Sequence, residues 1–362
     1  MLRYMYAMLA LALGLNLAVA EAKLYALNHT GGTPGLPTPT SPGSFRLLTI
    51  EVAKLRDHPL TSAPVGKETE CLPWKEAGCI PWTPGSSTVD HDHGILYFIG
   101  STSYYGQNTT LVGVSLKTGA VVSSAAIPFS GPTFELFAAD LVYASDLGEV
   151  LLLVTQRVTA TNLKQILGTI HPATGEWKTL TTVSAADVTK VDQQHMAYVP
   201  GKQICIFQLG VDKVLTQFAY DFKGGGGNLK NATTAQFTDM VYNPRDGMIW
   251  GHGVTTTAGK GNKQYYVREL SKLNPSTLVV TTVKTLKTLA TDGGALATLD
   301  VDSQTMYWIS ALFTDDGSGA NGPFYLVGVS LDDGSIVSQS LACKLWNNPW
   351  SPGDCPDTLS WF

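Results

Sequence analysis

The feature that most constrains this chain is a six-residue stretch that occurs twice. Leu111-Val-Gly-Val-Ser-Leu116 recurs letter for letter as Leu326-Val-Gly-Val-Ser-Leu331, and the similarity continues through a turn into a second extended run, from Lys117 to Ser123 and from Asp332 to Ser338. Alternating apolar residues on both sides of a Gly-containing turn predict an antiparallel hairpin at each place. A chain that repeats such a unit builds its fold from several copies of it.

A second kind of hairpin precedes each copy of the first. It consists of a short apolar strand, a polar turn and a strand that carries aromatic residues, and its five copies begin at Ser87, Asp140, His195, Asp239 and Leu296. Weaker copies of the first hairpin follow at Ile166–Trp177 and Val267–Leu278. The units recur at intervals of 44 to 57 residues. Four strands in such an interval are typical of one blade of a β-propeller.

The two ends of the chain carry parts of one further unit. Lys23 to Leu27 matches the second strand of a unit and Phe45 to Val52 matches the third, whereas Asp357 to Trp361 reads like a first strand. We therefore predict an all-β fold, a single β-propeller of about six four-stranded blades over residues 21–362, closed by pairing of the N- and C-terminal strands. A pair of β-sandwiches is the alternative, because it too contains short strands separated by turns.

In this blade pattern the chain resembles the β-propeller superfamily, in particular the irregular blades of NHL-, YVTN- and quinoprotein-like secreted proteins. The resemblance covers most of residues 23–362. It does not extend to a specific family, because the sequence lacks a WD dipeptide, a kelch double glycine, a repeated Asp-box and a regular Trp-docking motif. The resemblance therefore implies a fold and assigns no catalytic residues.

The N-terminus has the features of a secretory leader. Residues 1–20 contain one positive charge, an apolar run from Ala7 to Leu17 and small residues in Ala18-Val-Ala20, which predicts a signal peptide. No later segment has the roughly 18 uninterrupted apolar residues that a membrane span needs. Glycosylation sequons at Asn28, Asn108 and Asn231 fit an extracellular glycoprotein. We expect a secreted protein, extracellular or at the cell surface.

The charge of the chain limits its partners. Charged residues make up 15% of the sequence and the formal net charge is −5, so a surface that binds nucleic-acid phosphates is not expected. We expect an extracellular protein or carbohydrate as the partner, with self-association as a further candidate.

Five cysteines in an oxidising compartment predict disulfide bonds. We pair Cys71 with Cys79 and Cys343 with Cys355, because both pairs bracket short loops that are rich in Pro, Gly and Trp. Cys205 lies in a strand pattern and is expected to be a buried free thiol; an intermolecular bridge is the alternative.

In a propeller, the first strand of each blade lines the central channel. Aligning the units places Asp140, His195, Asp239 and Asp357 at equivalent positions near the start of that strand. These side chains can bind a divalent cation such as calcium, or supply a general base, although no cofactor is certain from the sequence. The alternative is structural: each side chain bonds the backbone of a neighbouring blade.

Two further groups of residues permit a functional and a structural interpretation. Asp90-His-Asp-His93 has the composition of a metal site, but the repeat alignment places it in a turn. Tryptophans flank or lie in the two cysteine loops, at Trp74, Trp82, Trp346 and Trp350. They either pack onto the core or form an aromatic surface for recognition.

Two functions from different classes fit these observations. The first is a secreted, glycosylated propeller that acts as an extracellular binding or assembly protein. The second is a secreted metal-dependent hydrolase or lyase with its site in the central channel. The fold alone does not distinguish them.

Overall fold

A computed structural model shows an all-β molecule. It describes residues 23–30, 44–50, 52, 62–65, 69–70, 80–81, 87–101, 110–128, 140–159, 162–185, 195–211, 214–224, 230–234, 237–258, 264–290, 297–311, 324–343 and 358–361. The predicted signal peptide, residues 1–20, lies outside these residues. In the described part of the chain, no helix is long and apolar enough to cross a membrane.

The strands follow the repeated pattern of the sequence. In chain order they are β1 (Leu24–Thr30), β2 (Ser44–Ile50), β3 (Ser62–Pro64), β4 (Thr69–Glu70), β5 (Ile80–Pro81), β6 (Ser87–Asp90), β7 (Ile95–Ser101), β8 (Thr110–Ser115), β9 (Val121–Ala126), β10 (Asp140–Ala144), β11 (Glu149–Arg157), β12 (Leu163–Ile170), β13 (Trp177–Ala185), β14 (Met196–Val199), β15 (Ile204–Val211), β16 (Val214–Asp221), β17 (Lys230–Thr234), β18 (Phe237–Asn243), β19 (Met248–Ala258), β20 (Gln264–Leu273), β21 (Val280–Ala290), β22 (Ala297–Asp300), β23 (Thr305–Ala311), β24 (Phe324–Ser330), β25 (Ile336–Cys343) and β26 (Thr358–Trp361).

Five antiparallel sheets follow one another along the chain. We number them sheet 1 (β6–β9), sheet 2 (β10–β13), sheet 3 (β14–β17), sheet 4 (β18–β21) and sheet 5 (β22–β25); β5 also pairs with β7. Their first strands lie side by side in the order β6, β10, β14, β18 and β22. The sheets are therefore blades around a common axis, and the predicted all-β propeller is confirmed as a single propeller containing these five blades.

A further sheet, the terminal sheet, combines strands from both ends of the chain in the order β26, β1, β2 and β3, with β4 on β2. Strand β26 runs antiparallel to β1, with Leu24 opposite Trp361 and Leu27 opposite Thr358. Strand β26 also lies next to β22 and β6.

The exact repeat of the sequence corresponds to a repeated packing detail. Gly113 in β8 and Gly328 in β24 each lie against a serine of the next strand, Ser123 or Ser338, and against a tyrosine ring of the preceding strand. A Cβ atom at either glycine would overlap the serine Oγ. The repeat preserves glycine here because the third strand has no room for a side chain on that face.

The molecule has two different ends, because connections between antiparallel strands alternate in direction. At the end we call the turn end, the first and second strands of each blade are joined by the short turns 91–94, 145–148, 200–203, 244–247 and 301–304. At the opposite end, the loop end, second strands connect to third strands and one blade connects to the next.

The Asp-His-Asp-His sequence occupies the first of these turns. Asp90 is buried, and its Oδ1 accepts hydrogen bonds from the backbone N–H groups of Asp92 and His93 at 3.1 and 3.2 Å. Asp300 binds the equivalent turn of sheet 5 in the same way, accepting from Asp302 and Ser303. The turn interpretation of this segment is confirmed.

Candidate functional site

The structure places the predicted channel residues at the starts of first strands. Asp140 opens β10, His195 directly precedes β14, and Asp239 lies near the start of β18. Asp357 lies outside the described residues. Three neighbouring blades therefore each contribute one of the predicted residues at the loop end.

Asp140 has the structural role that we gave as the alternative. Its Oδ2 accepts a hydrogen bond of 2.6 Å from the backbone N–H of Met196, and its Oδ1 accepts one from the N–H of Leu141. Met196 begins β14, so this carboxylate connects sheet 2 to sheet 3. It satisfies backbone donors at the joint between the two blades.

Asp239 instead lies among charged and titratable side chains. Its Oδ2 is 2.6 Å from His252 Nδ1 and 3.5 Å from Arg268 Nη1, and its Oδ1 is 3.9 Å from His195 Nδ1. The side chains of Asp239 and Arg268 are each only 1% exposed. We call Asp239, His195, His252 and Arg268 the Asp239 cluster.

The backbone at Asp239 is irregular. Its φ angle is 55°, in the left-handed region, and the pairing of β18 with β19 shifts register between Thr238 and Val241. A non-glycine residue in this region costs about 1 to 2 kcal/mol. The surrounding structure has to hold this conformation in place, and such strain is common at functional sites.

The other members of the cluster come from the second and third strands of sheet 4 and from sheet 3. His252 in β19 lies opposite Thr238, and Arg268 in β20 lies opposite Val254. The His252 ring meets the Trp308 ring of sheet 5 edge to face, with centroids 6.2 Å apart. Polar groups of sheets 3 and 4 therefore meet beside a fully buried tryptophan of sheet 5.

Burial and neighbouring charges set the ionisation of the cluster. Burial lowers the pKa of His252 to about 4, the Arg268 guanidinium adds to that shift, and Asp239 opposes it. Burial alone would raise the pKa of Asp239, but His252, His195 and Arg268 outweigh it and hold the pKa well below its usual range. At neutral pH an Asp239 carboxylate and the Arg268 guanidinium therefore form an ion pair beside an uncharged His252.

The hydroxyl of Thr238 lies close to His252 but not in the position of a nucleophile. Thr238 Oγ1 is 2.9 Å from Nε2 and 3.3 Å from Nδ1 of His252. Arg268 Nη1 is similarly close to both ring nitrogens, at 2.9 and 3.0 Å. Each group lies within 3.3 Å of both ring nitrogens, whereas a nucleophile that a histidine base activates is hydrogen-bonded to one of them.

His195 is the member of the cluster with the greatest exposure, although its side chain is only 10% exposed. Its Nε2 is buried and has no hydrogen-bond partner among the described residues. Its backbone oxygen accepts a hydrogen bond of 3.1 Å from the N–H of Gln208, which holds the start of β14 in place. His195 Nε2 is therefore a buried nitrogen that the described residues leave without a hydrogen bond, and in this structure it is not open to solvent.

The cluster is not arranged as a metal centre, although it contains one aspartate and two histidines. Among the described residues, no group of three or more His, Cys, Asp and Glu side chains is arranged to hold a metal ion. The Arg268 guanidinium already supplies a positive charge beside Asp239. Calcium in the channel stays a prediction that would need Asp357 or other residues beyond those described.

Several other predictions concern residues outside the described part of the chain. These are Cys71, Cys79, Cys355, Asn108, Trp74, Trp82, Trp346 and Trp350. For Asn28 in β1, Asn231 in β17 and Cys343 in β25, only the backbone is described. The disulfides and the glycosylation therefore stay predictions. Cys205 is a buried free thiol in β15, as expected.

His252 and Arg268 were missed by the sequence reasoning, because only first strands were aligned as channel residues. One signal was present: Arg268 stands in the otherwise strand-like run Tyr266-Val-Arg-Glu-Leu270. An arginine in a buried strand needs an anionic partner, so this residue indicates a neighbouring buried carboxylate.

Comparison with known proteins supports the fold and no closer relationship. No protein-family model matches the sequence, and no curated protein matches it. TolB from Acinetobacter baumannii is similar in structure, with a TM-score of 0.53 and 12% identity, over 94% of this chain and 66% of the TolB chain. A nidogen/laminin complex contains a similar chain, with a TM-score of 0.51 and 8% identity, over 93% of this chain and 98% of that one. The protein belongs to the class of β-propellers, and these identities carry nothing beyond the fold.

Proposed function

We propose that this protein is a secreted, glycosylated β-propeller that binds an extracellular protein or carbohydrate through its loop end. The observation that carries the proposal is the difference in length between the connections at the two ends. At the turn end, first and second strands are joined by turns of the kind seen at 91–94 and 301–304. The longest connections lie at the loop end, where they join Ala126 to Asp140, Ala311 to Phe324 and Cys343 to Thr358. Other connections at this end are short, as between Val211 and Val214.

Long connections on a rigid ring of sheets are suited to recognition. Loops tolerate sequence change, and the scaffold below them fixes where each loop starts and ends. The predicted leader and sequons are consistent with an extracellular location. One similar structure is a complex of nidogen with laminin, so a chain of this fold takes part in a protein assembly there.

Secretion and glycosylation can be tested together. The full chain with its own leader is expressed in eukaryotic cells, and the medium is examined before and after enzymatic removal of N-linked glycans. We expect a secreted protein whose mass falls on deglycosylation. Each of the single variants Asn28→Gln, Asn108→Gln and Asn231→Gln should show a smaller fall than the parent protein. A protein retained in the cell or an unchanged mass would contradict this part of the proposal.

Binding is tested with purified probes. Immobilised matrix proteins and a glycan array are exposed to the mature protein and to a variant in which a short Asn-Gly turn replaces the segment between Ala311 and Phe324. We expect a probe whose binding is lost in this variant and kept in a turn-end control, Asp302→Asn, whose side chain is 92% exposed. Equal binding by both variants would place recognition elsewhere.

We also propose that the terminal sheet is a sixth blade and that β26 closes the ring. The pairing of β26 with β1 and its position beside β6 and β22 support this. A chain that ends at Pro356 should then expose two sheet edges, melt at a lower temperature and aggregate in light scattering. Removal of Phe362 alone is the control, because it leaves Thr358–Trp361 in place. An unchanged melt and a monodisperse Pro356 truncation would refute closure.

A secreted hydrolase or lyase acting in the channel is the second candidate. The strained backbone of Asp239 and the buried Nε2 of His195 favour it. Elemental analysis of protein purified without chelator, together with turnover assays on esters, lactones and glycosides, separates the two candidates. A stoichiometric divalent ion with enzyme-like turnover would support the hydrolase, and turnover would overturn the binding proposal.

A further inference from the structure

Three glutamines lie in the interior of the propeller near the loop end. Gln165 in β12 is 1% exposed, and Gln208 in β15 and Gln217 in β16 are fully buried. Both side-chain amide atoms of Gln208 and of Gln217, and Oε1 of Gln165, have no hydrogen-bond partner among the described residues. Glutamine is rarely fully buried in proteins, and its amide normally has partners when it is.

The strand pairing places two of these amides side by side. Gln208 is the direct antiparallel partner of Gln217, so both side chains project from the same face of sheet 3. Ile206 and Ala219 lie on that face too, and they pack against Phe237 and Leu273 of sheet 4. The amide pair therefore lies between sheets 3 and 4.

The backbone of Gln208 is fixed from two sides, which prevents the amide from leaving the interior by a shift of the strand. Its N–H donates to the backbone oxygen of His195, and its carbonyl oxygen accepts a hydrogen bond of 3.3 Å from Gln165 Nε2. Both contacts cross to another element, a strand start in one case and sheet 2 in the other. The strand is thus held where its side chain must be buried.

An amide cannot lose its polarity by titration, so its buried donors and acceptors need a partner molecule. A cation would bind only the carbonyl oxygens and an anion only the N–H groups, so either would leave half of the atoms unmatched. A water molecule both donates and accepts, and it is small enough for an interior site. We propose that the propeller binds ordered water between sheets 3 and 4, held by the amides of Gln208 and Gln217.

The first test uses the mature chain as it is. A crystal structure at a resolution that defines water should show at least one molecule within hydrogen-bonding distance of both amides. In solution, magnetisation transfer from water to the side-chain N–H₂ groups of Gln208 and Gln217 should be visible. Direct hydrogen bonding of the two amides to each other with nothing between them, or density for a group other than water, would overturn the proposal.

A set of variants tests the same site by stability. Gln208→Met and Gln217→Met should each lower the melting temperature, because one amide loses its water network while the other remains buried. The double variant should lower the melting temperature by less than the two single losses added together, because it contains no buried amide without a partner. Strictly additive losses would contradict the proposal.

Gln304→Met is the matched control. Gln304 is half-buried and already paired, with its Oε1 accepting from Asn243 Nδ2 at 2.8 Å and its Nε2 donating to the Val301 oxygen at 2.7 Å. Its replacement should lower the melting temperature and leave the water signals at Gln208 and Gln217 unchanged. Loss of those signals in the control would count against a localised water site.

Discussion

Two carboxylates that connect neighbouring blades, Asp146 at the turn end and Asp239 at the loop end, lie in different surroundings. At the turn end, Asp146 of sheet 2 accepts hydrogen bonds from Tyr198 Oη at 2.5 Å and from the Gly201 N–H at 3.0 Å, both in sheet 3. Asn243 and Gln304 connect sheets 4 and 5 in a similar way. At the loop end, the Asp239 cluster and the Gln208–Gln217 pair place charges and amides where no bulk water reaches them.

The difference between Asp146 and Asp239 lies in solvent access rather than in the number of polar contacts. Asp146 itself is exposed, so its carboxylate is hydrated if a partner is lost. Asp239 is buried, so loss of a partner leaves a charge that only the protein can stabilise. Asp146 thus connects two blades at little risk, whereas Asp239 depends on the charged and polar side chains around it.

The largest effect should follow removal of the guanidinium from the loop end. Arg268→Met keeps most of the aliphatic volume but leaves Asp239 buried without its permanent counter-charge. We expect a loss of unfolding free energy of about 3 to 5 kcal/mol, measured by urea unfolding followed by tryptophan fluorescence. Because Asp239 can regain an uncharged state by protonation, its pKa should also rise.

Two variants make this prediction specific. Arg245→Met removes a guanidinium of a surface pair, 3.6 Å from Asp302, and should cost less than about 1 kcal/mol. Adding Asp239→Asn to Arg268→Met should recover part of the loss, since the buried charge is then gone. A loss for Arg268→Met no larger than that for Arg245→Met would show that the buried pair contributes little.

The second effect is a dependence of stability on pH that originates at the loop end. The pKa of His252 is lowered to about 4 in the folded protein, so between that value and the ordinary 6.5 the unfolded chain binds the extra proton. Stability should therefore fall as pH drops through this window. For one such group the fall is about 2 kcal/mol by pH 5 and about 3 kcal/mol by pH 4.

The variants at the two ends should separate here. His252→Gln should make the stability between pH 7 and pH 5 less dependent on pH. Asp146→Asn should leave that dependence in place. The hydrogen bonds of Asp146 outweigh its partial desolvation and lower its pKa, so its contribution is lost mainly below its ordinary value of 3.8. Urea unfolding at a series of pH values measures both slopes. Equal slopes for the parent and His252→Gln would rule out His252 as the source.

Much of the fold was predictable, because it rests on local patterns that repeat. The duplicated sequence forms β8 and β24 at equivalent places, and each of the five upstream hairpins forms the first two strands of a blade. Short apolar runs bounded by turns rich in Asp and Gly are visible in any one copy. The repeat spacing then identified the blade without reference to tertiary structure.

The candidate site was predictable only in part, because it depends on contacts between strands. Alignment of first strands placed His195 and Asp239 at equivalent positions, and the structure brings their side chains within 3.9 Å of each other. It also selected Asp140, which bonds backbone instead. What brings His252 and Arg268 to Asp239 is the register of sheet 4, including the irregular pairing at Asp239. A bulge of one or two residues leaves no clear mark in the sequence, yet it changes which side chains face each other.

The smallest effect should be seen at the turn end. Tyr198→Phe removes the hydroxyl that donates to Asp146 but keeps the buried ring in the core between sheets 2 and 3. Because the Asp146 carboxylate can be hydrated in its place, we expect a loss of only about 1 kcal/mol, although the hydrogen bond is short and its acceptor is charged. Nuclear magnetic resonance titration should show the pKa of Asp146 rising toward its ordinary value, since the Tyr198 hydrogen bond helps to lower it. A loss of unfolding free energy as large as that for Arg268→Met would mean that the Asp146 contact contributes as much to stability as the Asp239 cluster. That result would contradict the contrast between the two carboxylates.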